Sequence, residues 1–348
     1  MRSRFLFIAA ALGLAAWAAN ALAAAPDCTN AAAPACFRSF EPSPSGGTLH
    51  YYASLSPETP GMAAPAHAPT HALIAMHGHP RDANKTFEAT LRAVREGGAL
   101  ANTLVVAPLF QVGADRAGQC STDGVPAAQD GDLLWTCGSW LEGARAGNGS
   151  RLTSFAAMDA MVAELARQWP SLRSVTIAGF SAGGQFVQHY IGFAAQPPAN
   201  TITVRYVVAD PGTWLYFDPV LAQSADASAC PALNRWKYGT DDLPASLGRS
   251  AAEARQRYAA ADIHYLEGAL DSSDGKGTAY RVLDKSCAAS AQGPFRLQRG
   301  LAYAQYDRSV LAPDKHREVT VVPGCAHDVA CVFPSEAARA ALLGATRR

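Results

Sequence analysis

The sequence predicts an α/β fold in which helices cover both faces of a mostly parallel sheet. Short continuous apolar runs, such as residues 72–76 and 206–209, are typical of strands buried on both faces. Segments with helical periodicity alternate with these runs, and turn residues follow the runs. The chain of 348 residues has no internal repeat or domain-length linker, and it is long enough for one large domain.

The first 23 residues have the features of a secretory signal peptide. Residues 1–4 are basic, an apolar run covers residues 5–19, and Ala21-Leu22-Ala23 is a small-x-small cleavage pattern. A membrane anchor is the alternative, but the apolar run is shorter than the ~20 residues that span a bilayer. We therefore expect removal of residues 1–23, a secreted or periplasmic protein, and no membrane association after cleavage.

The charge of the chain argues against nucleic acid as a partner. Loss of Arg2 and Arg4 with the leader reduces 29 basic residues to 27, against 29 acidic ones, for a net charge of −2. No dense run of lysine or arginine forms a basic stripe in the sequence. The motif patterns of phosphate loops, dinucleotide sites, calcium hands and zinc proteases are missing from it. We expect an uncharged ester substrate, small or polymeric, and neither a cofactor nor a metal.

The cysteines predict four disulfides, because all eight follow the expected cleavage point and exported chains oxidise their cysteines in pairs. Zinc binding is the alternative, but the sequence contains no C-x-x-C pair. The sequence does not fix the pairing, and we expect neighbours along the chain to pair. The cysteines are Cys28, Cys36, Cys120, Cys137, Cys230, Cys287, Cys325 and Cys331.

Residues 24–70 predict an N-terminal arm and an edge hairpin, with a strand at 48–54 and a proline-rich connector at 57–69. The main domain then covers residues 71–348. Residues 72–76 predict its first buried strand, which runs into the turn His77-Gly78-His79-Pro80. A helix at about 84–96 and a strand at 103–107 complete a β-α-β unit.

Residues 108–152 form a long polar, glycine-rich insertion that contains Trp135 and Trp140. The insertion follows the carboxyl end of a strand, where open α/β sheets bind ligands. Trp135 and Trp140 are therefore candidates for substrate contacts. The alternative is that both tryptophans pack the insertion onto the domain.

The clearest helix in the sequence carries apolar residues at positions 155, 158, 162, 165 and 169, and Pro170 ends it. A β-branched run at 175–177 then leads to Ser181. The other predicted elements are an amphipathic helix at 182–195, strands at 205–209, 263–266 and 318–322, and a loosely patterned insertion at about 218–261.

Gly179-Phe180-Ser181-Ala182-Gly183 forms a G-x-S-x-G motif between the predicted strand and helix. A serine on such a tight turn is held in a strained, exposed conformation. Larger side chains two residues away on either side would collide, so glycine fits at both positions. The motif predicts a nucleophilic serine.

With these segments the chain resembles the α/β-hydrolase superfamily, from His71 to the C-terminus, and in particular its secreted serine esterases. Four segments carry the resemblance: the turn at His77-Gly78-His79-Pro80, the G-x-S-x-G motif, the Gly268-Ala269-Leu270-Asp271 segment, and His327 after the last strand. The resemblance implies an α/β-hydrolase fold and a catalytic triad in the order serine, acid, histidine.

The resemblance implies that His327 is the base that takes the proton of Ser181, and that Asp271 orients the ring. Asp271 also has an alternative role as a turn cap, because Asp271-Ser272-Ser273-Asp274-Gly275 is rich in turn residues. Asp274 and Asp210 are alternative acids. A disulfide between Cys325 and Cys331 would close a small loop that carries His327.

The oxyanion of the transition state needs backbone N–H donors. The resemblance implies that Ala182 provides one donor and the turn after His77 the other, through the N–H of His79, because Pro80 has none. This turn departs from the His-Gly-Gly-Gly form of some esterases in the superfamily. His77 and His79 could also be a metal pair, but no carboxylate completes such a set, and we expect no metal.

These residues predict a secreted serine hydrolase that cleaves carboxylic esters through an acyl-enzyme on Ser181. A peptidase or amidase with the same triad is one alternative. A catalytically silent α/β-hydrolase scaffold that binds a ligand or a partner is another. The oligomeric state is not predicted.

Overall fold

The computed structural model describes residues 28–44, 46–56, 68–197, 202–221 and 228–344. The expected signal peptide and most of the proline-rich connector lie outside these residues. Within these ranges, no helix is both long and apolar enough to cross a bilayer.

The strands form one eight-stranded sheet and a separate two-stranded sheet. In chain order they are β1 (Phe37–Phe40), β2 (Leu49–Ala53), β3 (His71–Met76), β4 (Thr103–Leu109), β5 (Gln111–Val112), β6 (Leu134–Trp135), β7 (Ser174–Phe180), β8 (Thr203–Ala209), β9 (Asp262–Gly268) and β10 (Val319–Val322). The main sheet has the order β1-β2-β4-β3-β7-β8-β9-β10. The β1–β2 and β2–β4 pairs are antiparallel, and all other neighbours are parallel.

The helices lie on both faces of this sheet. They are α1 (Ala83–Glu96), α2 (Ala114–Ala117), α3 (Ser154–Gln168), α4 (Ala182–Phe193), α5 (Ala251–Ala260), α6 (Cys287–Ser290), α7 (Arg296–Tyr306), α8 (Val329–Val332) and α9 (Glu336–Leu343). A π-helical turn, Asp307–Leu311, follows α7.

Two hydrophobic cores form because alternate residues of a strand point to opposite faces. Leu73 of β3 packs in one core with Phe87 of α1, and the adjacent Ile74 packs in the other core with Phe186 of α4. Strands buried on both faces account for the continuous apolar runs in the sequence. The predicted α/β-hydrolase fold, with its mostly parallel sheet, is confirmed.

Most predicted elements lie within a few residues of their expected bounds. The expected edge hairpin is the β1–β2 pair, and the insertion at 218–261 contains α5, whose first turn is closed by a capping box between Ser250 and Glu253. Helices α7 and α9 were not predicted.

The four disulfides join neighbouring cysteines along the chain, as expected. They are Cys28–Cys36, Cys120–Cys137, Cys230–Cys287 and Cys325–Cys331. Each joins Cα atoms 5.5 to 5.8 Å apart, within the usual range for a disulfide.

Candidate active site

Ser181 lies on the sharp turn between β7 and α4, with a positive φ of 59°. The turn is possible because glycines flank it. A Cβ atom on Gly179 would overlap the carbonyl oxygen of Gly183, and one on Gly183 would overlap the carbonyl oxygen of Met76 in β3. The Ser181 N–H donates to the carbonyl oxygen of Ala209, 3.0 Å away, so β8 helps hold the turn.

His327 and Asp271 form a hydrogen-bonded chain with Ser181. His327 Nε2 lies 2.7 Å from Ser181 Oγ, and His327 Nδ1 lies 2.7 Å from Asp271 Oδ2. Asp271 is 1% exposed. Nδ1 carries the proton in the neutral ring because a carboxylate can only accept, which leaves Nε2 free to accept from the serine hydroxyl.

Backbone hydrogen bonds and a disulfide hold the loops that carry the acid and the histidine. The Leu270 N–H donates to the Cys325 carbonyl oxygen at 2.8 Å, and the His327 N–H donates to the Gly277 carbonyl oxygen at 3.0 Å. The disulfide between Cys325 and Cys331 closes the short loop around His327. The two loops therefore form one connected unit at the carboxyl ends of β9 and β10.

Arg296 of α7 lies on the other side of the acid. Its Nη1 is 3.4 Å from Asp271 Oδ1 and donates to the Thr278 carbonyl oxygen at 2.7 Å. Burial lowers the pKa of His327, and this effect outweighs the hydrogen bond that the ring donates to Asp271. The ring is therefore neutral at neutral pH, which is the state a general base needs.

The two alternative acids occupy different environments. Asp274 is exposed in the turn that follows Asp271, whereas Asp271 itself accepts the hydrogen bond from Nδ1 of His327. Asp210 is fully buried at the end of β8, and its Oδ1 accepts the Gly268 N–H at 2.8 Å. Neither residue takes the position of Asp271, although Asp210 lies beside it.

Asp210, Asp271 and His327 bring potential ligand atoms within 4.8 Å of one another. Both ring nitrogens of His327 already form hydrogen bonds, one to Asp271 and one to Ser181. A cation would have to displace one of these partners. The arrangement therefore fits proton transfer better than metal binding.

The turn after β3 is held so that one backbone N–H faces away from the protein core. The Gly78 carbonyl oxygen accepts from Nδ1 of His77 at 2.8 Å and from the Arg81 N–H at 3.1 Å. In a planar trans peptide the N–H points opposite to the carbonyl. The N–H of His79 therefore points away from His77, on the turn that lines the cleft with Ser181.

His77 is itself locked in one neutral form. Its Nε2 accepts the Phe110 N–H at 3.2 Å, and burial lowers its pKa to about 3. Ala182 is the first residue of α4, so its N–H has no acceptor within the helix. The N–H groups of Ala182 and His79 thus come from two rigid elements beside Ser181.

A cleft of about 790 Å³ leads to Ser181 and His327. Its wall includes α1, which contributes charged side chains of both signs, Lys85, Glu88, Arg92 and Arg95. Asn30 of the N-terminal arm and Val282 also line it, and Val282 is 69% exposed. The cleft therefore offers both polar and apolar contacts to a bound molecule.

No protein-family model and no curated protein matches the sequence. Solved structures that share the fold include the following two. Poly(aspartic acid) hydrolase-1 from Sphingomonas sp. KT-1 is 20% identical, with a TM-score of 0.58, and the match covers 88% of this chain and 98% of that one. The poly(3-hydroxybutyrate) depolymerase LpqC from Bordetella parapertussis is 18% identical, with a TM-score of 0.55, over 84% of this chain and 86% of that one.

This chain has the α/β-hydrolase fold. The fold that the resemblance implies thus agrees with the strand order and with both of these solved structures. In this α/β-hydrolase domain, Ser181, Asp271 and His327 follow the carboxyl ends of β7, β9 and β10.

The two tryptophans of the insertion lie away from the cleft. Trp140 is fully buried and packs against the His77 ring, with ring centroids 4.5 Å apart. Trp135 is 3% exposed and donates its indole N–H to the Ala144 carbonyl oxygen at 2.9 Å. The substrate contacts expected of them are not formed from these positions, and both residues pack the insertion onto the α/β-hydrolase domain. Gln119 is the described residue of the insertion that lines the cleft.

Two buried residues at the site were missed by sequence reasoning. Arg296 is the first residue of α7, a helix without a clear apolar stripe in the sequence. Glu267 lies inside β9, whereas the predicted strand ended at residue 266. A strand predicted to continue through residue 268 would have placed Glu267 within the sheet.

Proposed function

We propose that this protein is an exported serine hydrolase that cleaves carboxylic esters through an acyl-enzyme on Ser181. The observation that carries the proposal is the chain of hydrogen bonds from Ser181 through His327 to Asp271, with both distances at 2.7 Å. A serine hydroxyl is a weak nucleophile and needs such a base.

The reaction proceeds in two halves. Ser181 Oγ attacks the ester carbonyl carbon while His327 Nε2 takes the hydroxyl proton. Asp271, with Arg296 beside it, orients the ring and stabilises the imidazolium that forms. His327 then gives the proton to the departing alcohol, and water repeats the sequence on the acyl-enzyme to release the acid.

The oxyanion of each tetrahedral intermediate is bound by the N–H groups of Ala182 and His79. Both are backbone donors on fixed elements, so little reorganisation is needed when the charge forms. One such donor typically contributes about 2.7–4 kcal/mol to transition-state stabilisation.

A polymeric ester fits the shape of the cleft. The cleft is lined by α1 as well as by Ser181 and His327, and its volume of about 790 Å³ leaves room for more of a substrate than the scissile bond. One of the two solved structures compared above is a poly(3-hydroxybutyrate) depolymerase. Four disulfides fit an exported protein, as the leader pattern of residues 1–23 predicts.

Amide hydrolysis is the second candidate. The other of these two compared structures is a poly(aspartic acid) hydrolase. The same three residues would cleave an amide if His327 protonated the departing amine. Basic side chains along α1, such as Arg95, would suit a chain that carries carboxylates.

Turnover assays distinguish these functions. Purified protein is assayed against p-nitrophenyl esters of increasing acyl length and against the matching anilides. Ester turnover that is lost in Ser181→Ala but kept in Ser309→Ala, an exposed serine on the π-helical turn, supports the proposal. Turnover of anilides alone favours the amidase, and a folded protein that turns over neither class contradicts both.

A further inference from the structure

A pair of buried carboxyl groups, Asp210 and Glu267, lies beside Asp271 and His327. Asp210 directly follows β8, has a positive φ of 45° and is fully buried. One of its carboxylate oxygens lies within 4.8 Å of the nearest ligand atoms of both Asp271 and His327. Opposite charges within about 4–6 Å shift each other's ionisation strongly. Asp210 is therefore close enough for its charge to act on the His327 ring.

Glu267 of β9 is the partner of Asp210. Apart from the pair itself, no N–H or O–H group of the described residues donates to either carboxyl oxygen of Glu267 or to Oδ2 of Asp210. The two carboxyl groups lie within hydrogen-bonding reach of each other. Ionised carboxylates only accept, so a bond between them requires one proton.

The fold leaves space for this glutamate. A Cβ atom on Gly300 of α7 would overlap Glu267 Oε1, so the glycine allows the helix to pack over the carboxyl group. Glu267 is 0% exposed. Burial of an unpaired ionised carboxylate is very costly, whereas a protonated one can donate to its neighbour.

The surrounding charges favour one retained proton. The groups that face the pair are Asp271 after β9, Arg296 of α7 and His327 after β10. Three ionised carboxylates would face a single guanidinium if Asp210, Glu267 and Asp271 all lost their protons. Burial raises the pKa of Asp210 to about 7 and the pKa of Glu267 well above its usual range. Glu267 therefore keeps its proton at neutral pH, and Asp210 is the member that ionises.

We propose that Asp210 and Glu267 form a carboxyl pair that holds one proton, and that Asp210 is a positioning residue whose negative charge stabilises the imidazolium of His327. The role of Asp210 rests on the proposed function, because His327 becomes an imidazolium when it takes the Ser181 proton. Glu267 donates its O–H to Asp210 and keeps its own proton throughout. The catalytic proton moves only from Ser181 to His327 and on to the leaving group.

The pH dependence of Asp210→Asn tests this role. The asparagine keeps an acceptor for the Gly268 N–H but carries no charge. We expect the ratio of wild-type to variant kcat/KM on a p-nitrophenyl ester to rise from about 1 near pH 5 to about tenfold near pH 9, as Asp210 ionises. Asp262→Asn, at the opposite end of β9, should give a ratio that does not change with pH. A pH-independent ratio for Asp210→Asn would overturn the positioning role.

Variants of Glu267 sharpen the test. Glu267→Gln keeps a donor to Asp210. The pH at which kcat/KM rises as Asp210 ionises should therefore stay near the wild-type value. Glu267→Leu removes the donor, so ionised Asp210 is less stable and the rise should move to higher pH. An unmoved rise in a folded Glu267→Leu protein would exclude the hydrogen bond within the pair.

Infrared difference spectroscopy tests the pair without a substrate. The wild-type minus Glu267→Gln spectrum at neutral pH should contain the carbonyl band of a protonated carboxyl group, which shifts in deuterium oxide. A missing band overturns the pair even if the esterase is active. If the band is present but neither esters nor anilides are turned over, the pair stands and the proposed function fails.

Discussion

Two buried acidic clusters lie along the same face of β9, and they differ in how their charges are satisfied. Tyr265 and Glu267 are two residues apart on this strand, so their side chains point to one face. Asp307 accepts from Arg317 at 3.0 and 3.3 Å and from the Tyr265 hydroxyl at 3.0 Å. Arg317 also donates to three backbone carbonyl oxygens. This cluster is a closed network with a donor for each acidic oxygen.

The cluster at Glu267 is short of donors. Three oxygens of Asp210 and Glu267 receive no hydrogen bond from any described residue outside the pair, and the pair lies beside His327. A complete network stabilises one structure, whereas an incomplete one keeps a proton or a charge available. We therefore assign the Asp307 cluster to the stability of the fold and the Glu267 cluster to the active site.

The largest expected effect is that of Asp271→Asn. An asparagine at this position can donate to His327 and favours the wrong tautomer, so kcat should fall about 10⁴-fold while the fold persists. The exposed Asp274→Asn is the matched control and should keep kcat. Comparable losses in both variants would contradict the assignment of the acid.

Arg317→Met should destabilise the protein by about 3–5 kcal/mol, because it leaves Asp307 buried without its cation. Urea unfolding measures this, and Arg308→Met, whose guanidinium bonds only the Gln305 side chain among the described residues, should stay within about 0.5 kcal/mol. The kcat of folded Arg317→Met should remain near the wild-type value. A large loss of kcat in folded Arg317→Met would contradict the assignment of the Asp307 cluster to stability alone.

The disulfide around His327 should affect activity more than stability. The Cys325→Ala, Cys331→Ala double variant loses a short loop closure worth about 2 kcal/mol. Its kcat should fall at temperatures where circular dichroism shows a folded protein, because the loop that holds His327 is released. The Cys230→Ala, Cys287→Ala control should lose about 4 kcal/mol, since its loop is longer, yet keep kcat. Equal kcat in both double variants would argue against a role for the loop.

The smallest expected effect is a change in how stability depends on pH. The pKa of Asp210 is raised to about 7 in the folded protein, so the folded state binds more protons than the unfolded state between about pH 4 and pH 7. Wild-type stability therefore falls as the pH rises through this window. Asp210→Asn lacks this contribution and should gain about 1–2 kcal/mol relative to the wild type between about pH 6 and pH 9. A constant difference in free energy of unfolding across this range would mean that Asp210 is not the group that titrates.

The parallel sheet could be predicted because its strands are buried on both faces. Runs such as 72–76 and 206–209 are continuous in apolar residues, and no exposed alternate positions interrupt them. The Ser181 turn was predictable for a related reason, since its glycines are required by backbone contacts close to the motif itself.

Helix α7 could not be predicted because its buried face is not apolar. That face carries Arg296, Arg299 and Gly300 together with Tyr303, while Leu301 is 47% exposed. The arginines are buried because carbonyl and carboxylate oxygens from distant segments surround them. Hydrophobic periodicity does not detect a helix whose buried positions are polar.

The position of Trp140 also depended on distant contacts. A tryptophan in a long loop near a sheet edge suits either a ligand or the core. Trp140 belongs to the core because the His77 and Phe110 rings pack against it. The pairing of Asp210 with Glu267 is of the same kind, because it joins β8 to β9 through side chains 57 residues apart, a separation that short motifs do not span.

The most direct test of the account is the site of covalent labelling by a fluorophosphonate. The folded wild-type protein is treated with the probe at neutral pH, digested and analysed by mass spectrometry. We expect one adduct in the wild-type protein, on Ser181. Labelling of His327→Ala should be slow or missing, because the serine then lacks its base. An adduct on another residue, or a folded wild-type protein that remains unlabelled, would contradict the account.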